Sequence, residues 1–270
     1  ADLWTKANNF SSEYLFSLFG NAVDGPKFHG MSFQKDGWRL YNTWGYFQPT
    51  YGLWAAYDEK DQRRDATILY PGQHIQFVGK DVVYGGYNDY VYATIASETG
   101  ITFRKFMSPW READCKGKEV NTNGDNASNT LGMCLMRYAD VLLMKAEAMI
   151  ALNGEGDATA KELLGKIRQR AGLAATNDAS WKELRRLELA FEFMPSRHID
   201  LIRWGDAKET YAKPTQKVVS HYDYSSNTVV IDGVQNFDEG RTFDPVINQV
   251  FPIPAKAFDG TINLKQNIGY

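Results

Sequence analysis

Cysteine is nearly absent from this chain: Cys115 and Cys134 are the two among 270 residues. A disulfide-dense small scaffold is thereby excluded. A bond between them would close a loop rich in Gly, Asn and Ser and contribute about 3 kcal/mol in an oxidising compartment. Two ordinary thiols fit the sequence equally well. Excess positive charge is missing too. A formal net charge of -3 and a pI near 5.9 leave no broad basic field for a phosphate backbone or an acidic lipid surface, so nucleic acid is not an expected partner. There is no long apolar run: Val141 to Leu152 is interrupted by Lys145 and Glu147 and is too short to cross a bilayer. The opening Ala1-Asp2-Leu3-Trp4 has no initiator Met, basic n-region or h-region, and reads as a processed or truncated product.

Catalytic signatures are lacking as well. His29, His74, His198 and His221 are scattered, with no H-x-H or H-E-x-x-H spacing, so no metal site is expected. No G-x-S-x-G occurs, and Gly154-Glu155-Gly156 follows a helical pattern rather than a strand, which removes nucleophile-elbow and dinucleotide readings. The run Asn121 to Asn126 mimics part of a calcium loop but lacks the Glu at its twelfth position. No cofactor is called for, with calcium the one partial match.

What is present is globular: 43% hydrophobic and 23% charged residues fit one large domain or two small ones, read here as a single domain 1–270 with three zones. Residues 1–131 are aromatic and Gly-punctuated, which predicts loops, short helices and a small hairpin near Asp81 to Tyr92. Residues 132–205 are helical. From about Met133, Leu135, Ala139, Leu142, Leu143, Ala146, Met149 and Ile150 recur at helical spacing and stop at Asn153-Gly154. Asp157 caps a second helix carrying Ala160, Leu163, Leu164, Ile167 and Ala171, and the short turn makes the pair an antiparallel hairpin. Ser180 and Glu183 stand at capping-box spacing before a third helix, whose stripe Leu184, Leu187, Ala190, Phe191 and Met194 runs to Pro195. A shorter helix spans Ser196 to Trp204. After Gly205, in the zone 206–270, regular helix is not expected. There Phe251-Pro252-Ile253-Pro254 predicts an extended surface segment pinned by Phe251, Ile253 and Phe258.

These segments carry words that resemble the SusD/RagB family, in the family's order. They are Arg137-Tyr138-Ala139-Asp140-Val141-Leu142-Leu143-Met144 with Ala146-Glu147-Ala148, and Ile167-Arg168-Gln169-Arg170-Ala171-Gly172-Leu173. Then come Arg185-Arg186-Leu187-Glu188-Leu189-Ala190-Phe191-Glu192 and Arg197-His198-Ile199-Asp200-Leu201-Ile202-Arg203-Trp204-Gly205. Asn263-Leu264-Lys265-Gln266-Asn267-Ile268-Gly269-Tyr270 closes the chain. Weaker echoes lie at Ser11 to Gly20, similar to the family's strand-like lead-in, at Tyr57 to Thr67, and at Arg104-Lys105-Phe106. The chain departs from the family where Phe193-Met194-Pro195-Ser196 precedes Arg197 and His198-Ile199 replaces an aromatic pair. The family's amino-terminal half and lipidated cysteine have no counterpart here. The resemblance implies a mainly α, SusD-like fold of tetratricopeptide-like helix hairpins with a loop-rich ligand region. It also implies a cell-surface lipoprotein of the outer membrane, held there only through that lipid anchor. Such a protein passes oligosaccharide or polysaccharide to a SusC-like TonB-dependent transporter without catalysis. Some members bind peptides instead or serve chiefly as a docking lid.

Sugar recognition needs flat apolar rings plus amides, carboxylates or guanidinium groups for the hydroxyls. Trp38, Arg39, Asn42, Trp44, Tyr46, Phe47 and Gln48 form the densest such cluster, and Tyr84, Tyr87 and Tyr90 with Asn88 and Asp89 a second. The same rings would serve equally as the core of a loop-rich domain. Trp204 suits the core, and Trp54 and Trp110 stay open. A glycoside hydrolase would need two carboxylates facing each other across a bond. Glu188 and Glu192 share one expected helix face near Arg185, Arg197, Asp200 and Arg203, an arrangement that suits an ion-pair network instead. No catalytic residue is assigned.

Overall fold

The structure, a computed structural model, describes residues 2–4, 8–19, 47–77, 80–86, 97–106, 133–176, 180–192, 196–260 and 263–270. Among the described residues helix outweighs strand, 37% against 18%. The chain separates into two compact units, Ala1–Phe193 with Gln216–Gln235 and Met194–Thr215 with Asn236–Tyr270. The zone read as 206–270 is therefore divided between them.

In chain order the elements are β1 (Tyr14–Leu18), α1 (Tyr51–Trp54), α2 (Gln62–Thr67), β2 (Ile68–Leu69), β3 (His74–Phe77) and β4 (Lys80–Val83). There follow β5 (Thr102–Phe103), β6 (Met133–Arg137), α3 (Tyr138–Asn153), α4 (Ala158–Arg170), α5 (Trp181–Glu188), α6 (Ser196–Trp204), α7 (Ala207–Ala212), β7 (Gln216–Asp223) and β8 (Thr228–Asn236). Among the described residues the strands pair two by two: β1 with β6, β2 with β5, β3 with β4, β7 with β8.

In the first unit, the helix expected from Met133 starts at Tyr138, because Met133–Arg137 is taken up as a strand antiparallel to β1, with Tyr14 opposite Arg137. Glu13 ends that strand and opens the helix. Its carbonyl accepts from the Tyr138 N–H at 2.8 Å and its carboxylate from the Ala139 N–H at 3.2 Å, satisfying donors that a helix start leaves without partners. The far end of α3 is closed by Gly154 at φ 85, a conformation that suits glycine. Asp157 then caps α4 as expected, accepting from the Ala160 N–H at 2.8 Å. The hairpin is antiparallel: Ala146 packs with Ala160 and Leu163, while Leu143, nearer the start of α3, packs with Ile167, further along α4.

The third helix, α5, starts where expected, with Ser180 at the N-cap position, but differs in its cap bond and at its far end. The Ser180 side chain makes no capping bond, and the Glu183 carboxylate pairs with Arg186 at 2.6 Å. The helix stops at Glu188, not Met194, and the chain turns through Phe191 at φ 64. Cations supplied from elsewhere in the chain take the carbonyls that a continuing helix would have bonded. Lys105 Nζ donates to the Glu188 and Ala190 carbonyls at 3.3 and 3.0 Å, and Arg137 Nη2 to the Glu188 carbonyl at 2.9 Å. Beside this turn lies a core of Tyr57, Ile68, Ile101, Leu187 and Val218. Gly100 sits against β7 at φ +74, where an added Cβ would lie 2.0 Å from the Val218 carbonyl oxygen.

The second unit is built on Leu201, Ala207 and Phe243. Gly205 ends α6 at φ 76, but α7 follows at once, which corrects the expectation that helix would not resume after Gly205. The Phe251 to Pro254 segment runs without regular structure, yet Phe251 is 80% exposed and anchors nothing. Hydrogen bonds hold the segment instead. The Gln266 side chain accepts from the Ile253 N–H at 2.7 Å and donates to its carbonyl at 2.9 Å, and Asn267 Nδ2 donates to the Phe251 carbonyl at 2.7 Å. Among the described residues, no helix is long and apolar enough to cross a membrane.

Candidate functional site

Of the residues singled out for ligand contact, Trp38, Arg39, Asn42, Trp44, Tyr46 and Tyr87 lie outside the described residues, as do Trp110, Cys115 and Asn121 to Asn126. Gln48 is described, and its amide oxygen accepts from Ser97 Oγ at 3.1 Å and the Thr99 N–H at 3.2 Å. Tyr84 is corrected: it is 1% exposed, so its ring fills the core and offers no face to a sugar. Its backbone is held in the fold by a bond from its N–H to the Gln73 carbonyl at 2.9 Å. Cys134 is a buried thiol pushed up to about 12, first by burial and then by the charge of Glu192.

A stacked pair of half-buried rings, Trp54 and Tyr70, lies against the Tyr57–Ile68 core, brought together from separate segments of the chain. Helix α1 presents Tyr51 and Trp54, both half-buried against the Tyr57–Ile68 core. Trp54 stacks on Tyr70 with ring centroids 4.5 Å apart and planes 23° from parallel. The Arg64 guanidinium lies 4.6 Å from the Trp54 ring centroid, a cation–π contact that orders both groups. Tyr70 is held by a tight turn: Gln73 N–H bonds to the Tyr70 carbonyl at 3.1 Å, with Pro71 and Gly72 (φ 86) at the corner in the pattern of a type II turn. Gln73 returns the bond, its side-chain oxygen accepting from the Tyr70 N–H at 2.9 Å. Burial, with Tyr51 nearby, holds the Tyr70 phenol above its usual range, so it stays a neutral donor.

A polar rim borders the rings. Asp65, 57% exposed, pairs with Arg64 at 3.3 Å and accepts from the Gln73 amide at 3.1 Å, while Arg104 donates to its carbonyl at 3.1 Å. Rings, carboxylate, amide and guanidinium groups thus share one patch, the combination that a pyranose and its hydroxyls require. The sequence signal for half of it was available: Tyr70-Pro71-Gly72-Gln73 is a turn by composition. Nothing local says that Trp54 and Tyr70 meet.

Glu188 and Glu192 belong to a buried ion network, not to opposed walls of a cleft. Glu188 is 3% exposed and meets Arg63 at 2.9 Å, Arg137 at 2.7 Å, and Arg170. Glu192 meets Lys105 and Arg137, each at 2.5 Å. Arg137 reaches Glu13 at 3.0 Å, and Asp61 holds Arg63. The sequence reading correctly assigned the two glutamates to ion pairing but named other partners; Arg185 instead joins Asp140. Burial alone would raise the Glu188 carboxyl, but Arg137, Arg170 and Arg63 outweigh it and hold the group well below the carboxylate range. Burial likewise opposes the charge on Lys105, which lies below its usual value despite Glu192. Elsewhere, His74 pairs with Asp81 at 3.3 Å, His221 with Asp232 at 2.9 Å, and His198 with the Tyr211 hydroxyl at 2.7 Å. No cluster of three or more His, Cys, Asp or Glu that could hold a metal ion occurs among the described residues.

The SusD family model matches residues 20–270. A SusD-like protein from Bacteroides fragilis superposes with TM-score 0.71 at 22% identity, covering 99% of this chain and 56% of that one. A laminarin-binding SusD-like protein gives 0.66 at 25% identity, covering 100% and 52%. Surface glycan-binding protein A from Bacteroides thetaiotaomicron, in complex with laminarihexaose, gives 0.66 at 20% identity, covering 98% and 54%. The chain therefore spans about half the length of these solved relatives. No curated protein matches it.

Proposed function

The chain belongs to the SusD family, and from that premise we propose that it binds glycan without cleaving it. The observation that carries this reading is the stacked Trp54–Tyr70 pair with its rim of Arg64, Asp65 and Gln73. The rings are fixed before ligand arrives, so little rotamer entropy is lost on binding. The cluster of Trp38, Arg39, Asn42, Trp44 and Tyr46 remains a proposed second source of contacts. Relatives that bind laminarin and laminarihexaose support an oligo- or polysaccharide ligand. The use of Glu188 and Glu192 as structural counter-ions supports a role outside hydrolysis. Placement at the outer-membrane surface on a lipid anchor, and handover to a TonB-dependent transporter, rest on family membership.

Calorimetry against a panel of polysaccharides that includes laminarin tests the proposal. Saturable binding is expected, weakened roughly fivefold or more by Trp54→Ala, since losing one stacking ring removes about 1–3 kcal/mol. Affinity that is unchanged both in Trp54→Ala and in a Trp38→Ala/Trp44→Ala double variant would reject ring stacking. Release of reducing sugar during incubation would reject the non-enzymatic reading.

A further inference from the structure

The buried ion network does not close on itself. A cavity of about 190 Å³ opens against it, and its charged walls are Arg63, Lys105, Arg137 and Arg170 against the single carboxylate of Glu188. The other balancing carboxylates, Asp61, Glu13 and Glu192, lie off the cavity walls. Four cationic side chains thus line the hollow against one carboxylate, an excess of positive charge at its walls although the network is neutral in sum.

We propose that this cavity is a binding site for a small oxyanion, of the size of sulfate or acetate, with Arg170 and Arg63 as its principal donors. A guanidinium carries five N–H groups. Arg170 gives one hydrogen bond, from Nη2 to Glu188, and its Nη1 pairs more loosely with Glu13 at 3.5 Å, while Arg63 uses Nε, Nη1 and Nη2 on Asp61 and Glu188. Both arginines keep N–H groups with no acceptor among the described residues, and both line the cavity. Lys105 is different: its bonds to Glu192 and to the Glu188 and Ala190 carbonyls use all three of its donors, while Arg137 bonds through Nε, Nη1 and Nη2 to Glu192, Glu13 and Glu188, so both chiefly contribute field rather than contact.

Access and size narrow the ligand. The Arg170 side chain is 49% exposed while Arg63 is 14% exposed, which makes Arg170 the entrance and Arg63 the inner wall. The volume exceeds what a single water needs but falls below the roughly 300 Å³ at which pockets begin to take drug-sized molecules. The cavity lining shares no residue with the Trp54–Tyr70 patch, so the site is independent of the glycan-binding proposal.

Isothermal titration of the full chain with sodium sulfate, and thermal melts in sulfate against chloride at matched ionic strength, test the assignment. Wild type should bind saturably and melt progressively higher with sulfate. Arg170→Gln should weaken binding roughly tenfold or more, the loss of a charge-assisted bond. Arg170→Lys, which keeps the charge but not the fork, should fall between. Arg241→Gln, at a side chain 72% exposed in the other unit, should behave as wild type. An equal sulfate response in wild type and both Arg170 variants would be a general salting effect and would overturn the site, as would absence of saturation. Displacement of sulfate by glucuronate as effectively as by acetate would overturn the size assignment.

Discussion

Replacing Glu188 with Gln keeps the shape of the side chain and removes its charge, leaving Arg63, Arg137 and Arg170 without their shared counter-ion. Arg137 is 3% exposed, like Glu188, so that contact lies beyond effective solvent screening; Arg63 is 14% exposed, and Arg170 at 49% counts for less. Removing one partner of a buried ion pair costs about 3–5 kcal/mol because the stranded charge keeps its desolvation penalty. Set against the roughly 5–15 kcal/mol that keeps a domain folded, Glu188→Gln should consume a large part of the margin. The pH dependence follows from the direction of the shift. The Glu188 carboxyl is held below its unfolded value of 4.5, so the folded state binds fewer protons than the unfolded chain. Its contribution is complete above that unfolded value and falls away as pH drops through it towards the folded one. Urea unfolding followed by tryptophan fluorescence should therefore show the gap between wild type and Glu188→Gln widest near about pH 7, narrowing from about pH 4.5 downwards. A cost under about 1 kcal/mol, or a gap that stays constant into acid, would refute the assignment of Glu188 as the charge centre of the network.

Two further substitutions test the frame around it. Gly100→Ala sets a Cβ 2.0 Å from the Val218 carbonyl oxygen at φ +74 and should cost about 3 kcal/mol or more by urea denaturation. Gly156→Ala, with nothing within 4 Å of the new carbon, should stay within about 0.5 kcal/mol, and equal behaviour of the two would contradict the packing. Asp157→Ala should lower Tm by a few degrees through loss of the α4 cap while Asp157→Asn, which also caps, should not; an undiminished Tm in the alanine variant would show the cap to be idle.

What the sequence made legible was local. Gly154 and Asp157 bracket the α3–α4 turn because each acts on its own neighbours, and the apolar spacing over Ala146, Ala160 and Leu163 carries directly into their packing. What escaped depended on partners far along the chain. Met133 to Arg137 has helical spacing, yet β1 claims it as a strand. The stripe running to Met194 is broken because Lys105 and Arg137 bind the carbonyls at the end of α5. Tyr84, in a Gly-rich run of tyrosines, has the composition of a surface loop, and only the fold around it shows the ring sealed inside. Trp54 and Tyr70 are separated by a whole helix and a strand, so no spacing rule brings them together.

The words that carry the family resemblance have a physical reading in these contacts. The first supplies Arg137, the second Arg170, and the third Glu188 and Glu192, which is most of one ion network. The last supplies Gln266 and Asn267, which hold the proline-interrupted segment. The network also reaches the proposed binding surface through a short chain of contacts. Leu187, the residue before Glu188, takes the Tyr57 hydroxyl on its carbonyl at 2.8 Å, and both side chains join the core against which Tyr51, Trp54 and Tyr70 pack. The ion network thus fixes the floor beneath the rings, which is where a protein that binds by stacking needs its rigidity.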